Sequence, residues 1–108
     1  MAIDQGLLQI MRDDLAGETV TEKKMFGGVA LLLRGNMLCG VHQGGGVFRV
    51  GKDNEAAALD MPGVVPMAFT GRRMGGWVEV TDEVVTDDAR RAWLMALALP
   101  FVKSLPPK

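Results

Sequence analysis

The sequence predicts an α+β fold, a two-layer sandwich in which helices cover a mainly antiparallel five-stranded sheet. Three observations carry this. Residues 23–51, KKMFGGVALLLRGNMLCGVHQGGGVFRVG, are three short apolar runs separated by Arg34-Gly35-Asn36 and by Gly44-Gly45-Gly46, which is the turn chemistry of a meander. Helical patterns stand at both ends of the chain. A length of 108 residues, 48% of them hydrophobic, makes one domain, residues 1–108, with enough apolar material for its own core. The expected order is helix, three strands, short helix, two strands, helix (α-β-β-β-α-β-β-α).

Each element has its own signal. Ile3, Leu7, Ile10 and Met11 recur at helical spacing with Leu8 and Leu15 beside them, so an amphipathic helix is expected to end near Ala16-Gly17. Residues 18–22 read as a polar connection. Residues 29–33 are an unbroken apolar run that suits a central strand covered on both faces, or one face covered and the other in an interface. Strand alternation over residues 37–43 puts Met37, Cys39 and Val41 on one face and Leu38, Gly40 and His42 on the other. Residues 47–50 form the third strand, with Phe48 and Arg49 facing opposite ways. Asp53 is the expected N-cap of a short helix that Met61-Pro62-Gly63 stops. Residues 64–69, interrupted by Pro66, suit an edge strand. TGRRMGG, residues 70–76, reads as a glycine-flanked basic loop before a strand at residues 77–80. Thr86 is the expected cap of a last helix, with Asp87 and Asp88 at its positive end and a core stripe of Ala89, Trp93, Ala96 and Leu97, broadened by Leu94 and Met95. Pro100 is expected to bend or end that helix, and residues 103–108 to fray.

The net charge of −1 argues against a bulk polyanion binder, but the charge is uneven. Residues 1–22 sum to −4, residues 23–73 to +4 and residues 74–108 to −1. The middle of the chain is locally basic. Cys39 is the single cysteine, which excludes an internal disulfide and suits a reducing compartment. The first residues carry Asp4 early and lack the basic and apolar regions of a secretory leader. The apolar stretch 92–102 is far short of the roughly 20 residues a membrane span needs. A cytoplasmic protein without membrane contact is the expectation.

At this point the residues carry a resemblance. Lys24-Met25-Phe26-Gly27-Gly28-Val29, Gly35-Asn36-Met37, Phe48-Arg49-Val50, Pro66-Met67-Ala68-Phe69-Thr70-Gly71-Arg72 and Met74-Gly75-Gly76-Trp77-Val78-Glu79-Val80 resemble, in order, the N-terminal domain of the TfoX/Sxy competence-regulator family. The resemblance spans about residues 5–100. It implies a fold like that of type III secretion chaperones, and a stand-alone copy of a domain that full-length members join to a helical C-terminal domain. It also implies a role in switching on competence genes alongside a transcription activator rather than as an enzyme. Folds of that kind commonly form homodimers.

No catalytic constellation is legible. Cys39 and His42 stand at an odd spacing on one strand, so they point to opposite faces and cannot pair as thiol and imidazole or share a metal. No zinc-type spacing exists, and neither a metal nor a cofactor is expected. Gly44-Gly45-Gly46 lacks the following Lys-Ser/Thr and helix of a phosphate cradle, so it reads as a hairpin turn. Five methionines, Met25, Met37, Met61, Met67 and Met74, read first as gap-fillers and second as an adaptable surface. The candidate partner-binding groups are Lys23, Lys24, Arg49, Lys52, Arg72 and Arg73, because loop residues tend to bind and arginine suits carboxylate or phosphate. A protein partner, including transcription machinery, is expected before nucleic acid, which would call for more charge and exposed aromatics. The apolar 29–33 strand and the apolar last helix leave room for a homodimer face.

Overall fold

Asp4 opens the chain's first helix by accepting hydrogen bonds from the backbone N–H groups of Gly6 and Leu7, at 2.8 and 3.3 Å. The computed structural model describes residues 4–25, 27–69 and 72–108, with the side chains at 69, 72 and 73 excepted. The expectation for Ile3 therefore lies outside the described residues, as do those for Phe26, Thr70 and Gly71.

Among the described residues the architecture is α+β, an antiparallel sheet of six strands with four helices. The elements are α1 (Gln5–Asp14), β1 (Val20–Met25), β2 (Gly28–Leu33), β3 (Asn36–His42), β4 (Gly45–Arg49), α2 (Lys52–Leu59), β5 (Val64–Phe69), β6 (Arg72–Val80), α3 (Asp82–Thr86) and α4 (Asp88–Lys103). The strands lie in the order β1-β2-β3-β4-β6-β5. The sheet has one strand more than the sequence predicts. The expected polar connection and the Lys23-Lys24 approach form β1, a charged edge strand paired along its length with β2. Hydrophobic alternation does not mark it because its side chains remain largely in water; its pairing uses the backbone.

The predicted hairpins are present. Arg34 and Gly35 turn the chain with positive φ of 53° and 83°, the sign that both central residues of a type I′ hairpin turn need. Gln43 and Gly44 make the second turn, and Gly45 already pairs with His42, so two of the three glycines belong to β4. A side chain at Gly45 would collide with the Val80 carbonyl at 2.1 Å. Glycine there lets β4 and β6 close against each other.

A bulge in β3 corrects the predicted facing. The β2–β3 register shifts between Leu31 and Leu32, so Cys39 pairs with Leu31 while Met37 pairs with Leu32. Leu38, Cys39 and Val41 therefore all join the main core, and Met37 crosses to the opposite face. The main core sets Leu8, Met11, Leu31, Phe48, Val78 and Leu94 between the helices and the sheet, each at most 1% exposed. Truncating a side chain such as Phe48 to alanine would cost about 3–5 kcal/mol. A second, smaller cluster of Ala30, Met37, Val47 and Met67 lies on the other face, with Met25, Leu32, Met74 and Trp77 against it. Residues 29–33 are thus covered on both faces, as their uniform apolarity predicts. Four of the five methionines fill this cluster and Met61 packs on the main core, which is the gap-filling role.

The C-terminal third departs most from the sequence reading. Thr81, not Thr86, caps a separate short helix, α3, and Asp87 caps α4 by accepting from Ala89 and Arg90 N–H. Gly51, not Asp53, stands at the N-cap of α2. Pro100 lies inside α4, which runs on to Lys103. The buried face of α4 is Arg91, Leu94, Met95, Ala98 and Val102, whereas Ala89 and Ala96 are exposed and Trp93 is 41% exposed. Apolar residues surround this helix, so periodicity selects no face. The segment expected to fray is tied to the first hairpin, Lys108 N–H to the Arg34 carbonyl at 2.8 Å and Asn36 Nδ2 to the Pro106 carbonyl at 2.9 Å.

Candidate functional site

The largest described cleft, about 650 Å³, forms where β4 ends, between the start of α2 and the last turns of α4. Its geometry follows from glycines. Gly51 has φ 92°, and a Cβ there would meet the Phe101 ring at 2.7 Å. Gly76 has φ 85°, and its N–H donates to Glu55 Oε1 at 3.0 Å. The Gly76 carbonyl accepts from both Val50 and Gly51 N–H, at 2.9 and 3.0 Å. These contacts hold α2, β6 and α4 close around a shared opening.

Arg49 stands at that opening. Strand pairing places it opposite Trp77, and its guanidinium carbon lies 5.0 Å from the Trp77 ring centroid and 5.7 Å from that of Phe101. Both distances are those of cation–π contacts. Burial pushes the Arg49 pKa below its ordinary value. Among the described residues, no carboxylate or carbonyl accepts from this guanidinium. Lys52 lies along Gly75, where a Cβ would come within 3.3 Å of Lys52 Cε. Asp53 and Asn54 line the same opening, and no side chain caps the N-terminus of α2. The α4 wall is apolar: Ala96, Leu97 and Pro100.

The sequence-derived candidates therefore divide. Arg49 and Lys52 share the cleft. Lys23 and Lys24 are exposed on β1, with β2, β3 and β4 between them and β6. Arg72 and Arg73 are not in a loop; they begin β6, paired with Phe69 and Ala68, and their side chains lie outside the described residues. Residues 72–76, expected as part of a basic loop, belong to β6, because the strand continues through Met74, Gly75 and Gly76. Trp77 and Phe101 are walls of the cleft. Only the Arg49↔Trp77 register and the approach of α4 reveal that role, and neither has a local sequence signal.

Other chemistry stays apart from this opening. Cys39 is fully buried, and burial drives its thiol pKa far above the usual range. His42 Nδ1 accepts from Gly44 N–H at 2.8 Å, and Nε2 stands 3.6 Å from a Glu79 carboxylate oxygen. Cys39 and His42 thus occupy different faces of the sheet. Among the described residues, no group of three or more His, Cys, Asp or Glu side chains could hold a metal ion. Among the described residues, no helix is long and apolar enough to cross a membrane.

The family model described as TfoX N-terminal domain matches residues 14–101. No curated protein and no solved structure matches the chain.

Proposed function

The chain belongs to the TfoX N-terminal domain family, and from that premise we propose that it is a small cytoplasmic, non-catalytic protein-binding module that acts beside transcription machinery in the manner of competence regulators. The observation that carries this reading is Arg49, a guanidinium gripped by two aromatic faces at the mouth of an apolar-walled cleft with no described anion upon it. Such an arrangement supports recognition: it supplies orientation and charge to a partner. The described lining supplies two cations, one carboxylate and one carboxamide beside glycine, aromatic and aliphatic residues.

Affinity capture from lysate of the native host tests the module, using the intact chain, Arg49→Gln/Lys52→Glu and Arg72→Glu/Arg73→Glu, each with and without nuclease. A protein retained after nuclease and lost in one double variant supports the reading and locates the surface. Capture that vanishes with nuclease favours the alternative, weak nucleic-acid binding through Lys23, Lys24, Arg72 and Arg73. The exposure of Lys23 and Lys24 on an edge strand supports that alternative, and it predicts affinity falling steeply with salt. Homodimer formation is the second element of the proposal. Its support is the outer face of α4, where Trp93 is 41% exposed. Sedimentation equilibrium of the wild type against Trp93→Gln checks it; a monomer at every concentration for both removes it.

A further inference from the structure

Four arginines are described with a specific side-chain partner, and three of them meet carboxylates. Arg12 pairs with Glu22, Arg90 with Asp87 and Glu83, and Arg91 with Asp14 and Asp88. Arg49 alone among them meets only rings. Its guanidinium carbon lies over both ring faces, and hydrogen bonding would use its N–H donors. The side chain is oriented and partly stripped of water, and its donors are left for an acceptor that the described residues do not supply.

We propose that the cleft binds an acidic peptide segment of a partner protein, with a carboxylate on the edge of Arg49 and an adjacent aliphatic side chain on the α4 wall. The proposal rests on the binding-module reading and adds the chemistry of the partner. Charge complementarity sets the ligand class. Among its described lining residues, Arg49 and Lys52 against Asp53 leave one net positive charge, which a single carboxylate neutralises. A nucleic-acid strand brings a run of phosphates that Asp53 opposes, and the wall of Ala96, Leu97 and Pro100 suits an aliphatic side chain better than a polyanion backbone. The volume, about 650 Å³, lies in the range of built ligand sites. The open N-terminus of α2 contributes a favourable field at the same place, but the site stands on Arg49 and the cleft.

The test is an NMR titration of the isotope-labelled 108-residue chain. The probes are a capped peptide of alternating glutamate and leucine, its glutamine counterpart, and single-stranded oligothymidylate. The acidic peptide is expected to shift the amides of Gly51, Lys52 and Gly76 and the indole N–H of Trp77 saturably, with a Kd tighter than about 1 mM. The glutamine peptide should bind at least about tenfold more weakly, and Arg49→Gln should lose about tenfold in affinity for the acidic one. If Arg49→Gln does not fold, Lys52→Glu, which changes an exposed side chain, should still weaken binding several-fold. Absence of saturable shifts, equal binding of both peptides, unchanged affinity in Lys52→Glu, or tighter occupation of the cleft by oligothymidylate each overturns the proposal. A partner still captured from lysate by Arg49→Gln/Lys52→Glu would keep the module reading while removing this one.

Discussion

Arg91 and Arg49 are both withdrawn from full solvent, and the protein treats them in opposite ways. Arg91, 7% exposed, is surrounded by acceptors of the chain's own making. Its Nε donates to Asp14 at 2.6 Å, Nη1 to the Val85 carbonyl at 2.7 Å and Nη2 to Asp88 at 2.9 Å. It fastens α1, α3 and α4 together. Arg49 receives two ring faces and no described anion. The comparison teaches how to separate a structural arginine from a binding one. A guanidinium that the fold itself neutralises holds the fold, whereas one that the fold orients without neutralising is available for the role proposed above.

The comparison can be broken by mutation. Arg91→Ala should destabilise by about 2–3 kcal/mol in urea unfolding, less than for a fully enclosed pair because Asp14 and Asp88 retain water. A loss under about 0.5 kcal/mol, the scale of an ordinary surface substitution, would deny Arg91 its fastening role. Gly51→Ala should cost about 1–3 kcal/mol through its left-handed backbone and the approach to Phe101; an unchanged unfolding midpoint would mean that the cleft is not built on this glycine. Arg49→Gln should cost about 0.5–1 kcal/mol, the value of an accessible cation–π contact, and act on binding instead. If its stability loss equals that of Arg91→Ala, the distinction between the two arginines collapses.

The smallest effect concerns pH. The Arg90 backbone N–H, then the Arg90 guanidinium, hold the Asp87 carboxyl below its ordinary value of 3.8. A carboxyl depressed in the folded state contributes stability above its unfolded pKa and loses it as pH falls through the folded one. Asparagine can cap a helix but cannot titrate. The melting-temperature advantage of wild type over Asp87→Asn should therefore shrink as the pH drops below 3.8. A difference that stays constant through acid would show that capping alone, and not charge, matters there.

By itself the sequence determined what neighbouring residues decide. The Arg34-Gly35-Asn36 and Gly44-Gly45-Gly46 signals marked two turns and the three strands around them because turn geometry is local, although the second turn sits at Gln43-Gly44. The uniform apolarity of 29–33 foretold burial on both faces, and the single cysteine ruled out an internal disulfide. The motifs running from Lys24 to Val80 carried the family. Arg49 and Lys52 were legible as cations, and the fold brings both to one cleft. Tertiary structure decided the rest because its physics is non-local. Strand β1 exists through backbone pairing with β2, which leaves charged side chains free to hide it from any hydrophobic pattern. The bulge at Leu38 reverses Met37, since one extra residue inverts an alternation of period two. Helix α4, apolar all round, takes its buried face from the sheet it meets and leaves Trp93 outside. The cleft joins β4, α2, β6 and α4, from residue 49 to residue 101, and no short window of sequence holds the register that sets Trp77 against Arg49 or the packing that brings Phe101 to the same guanidinium.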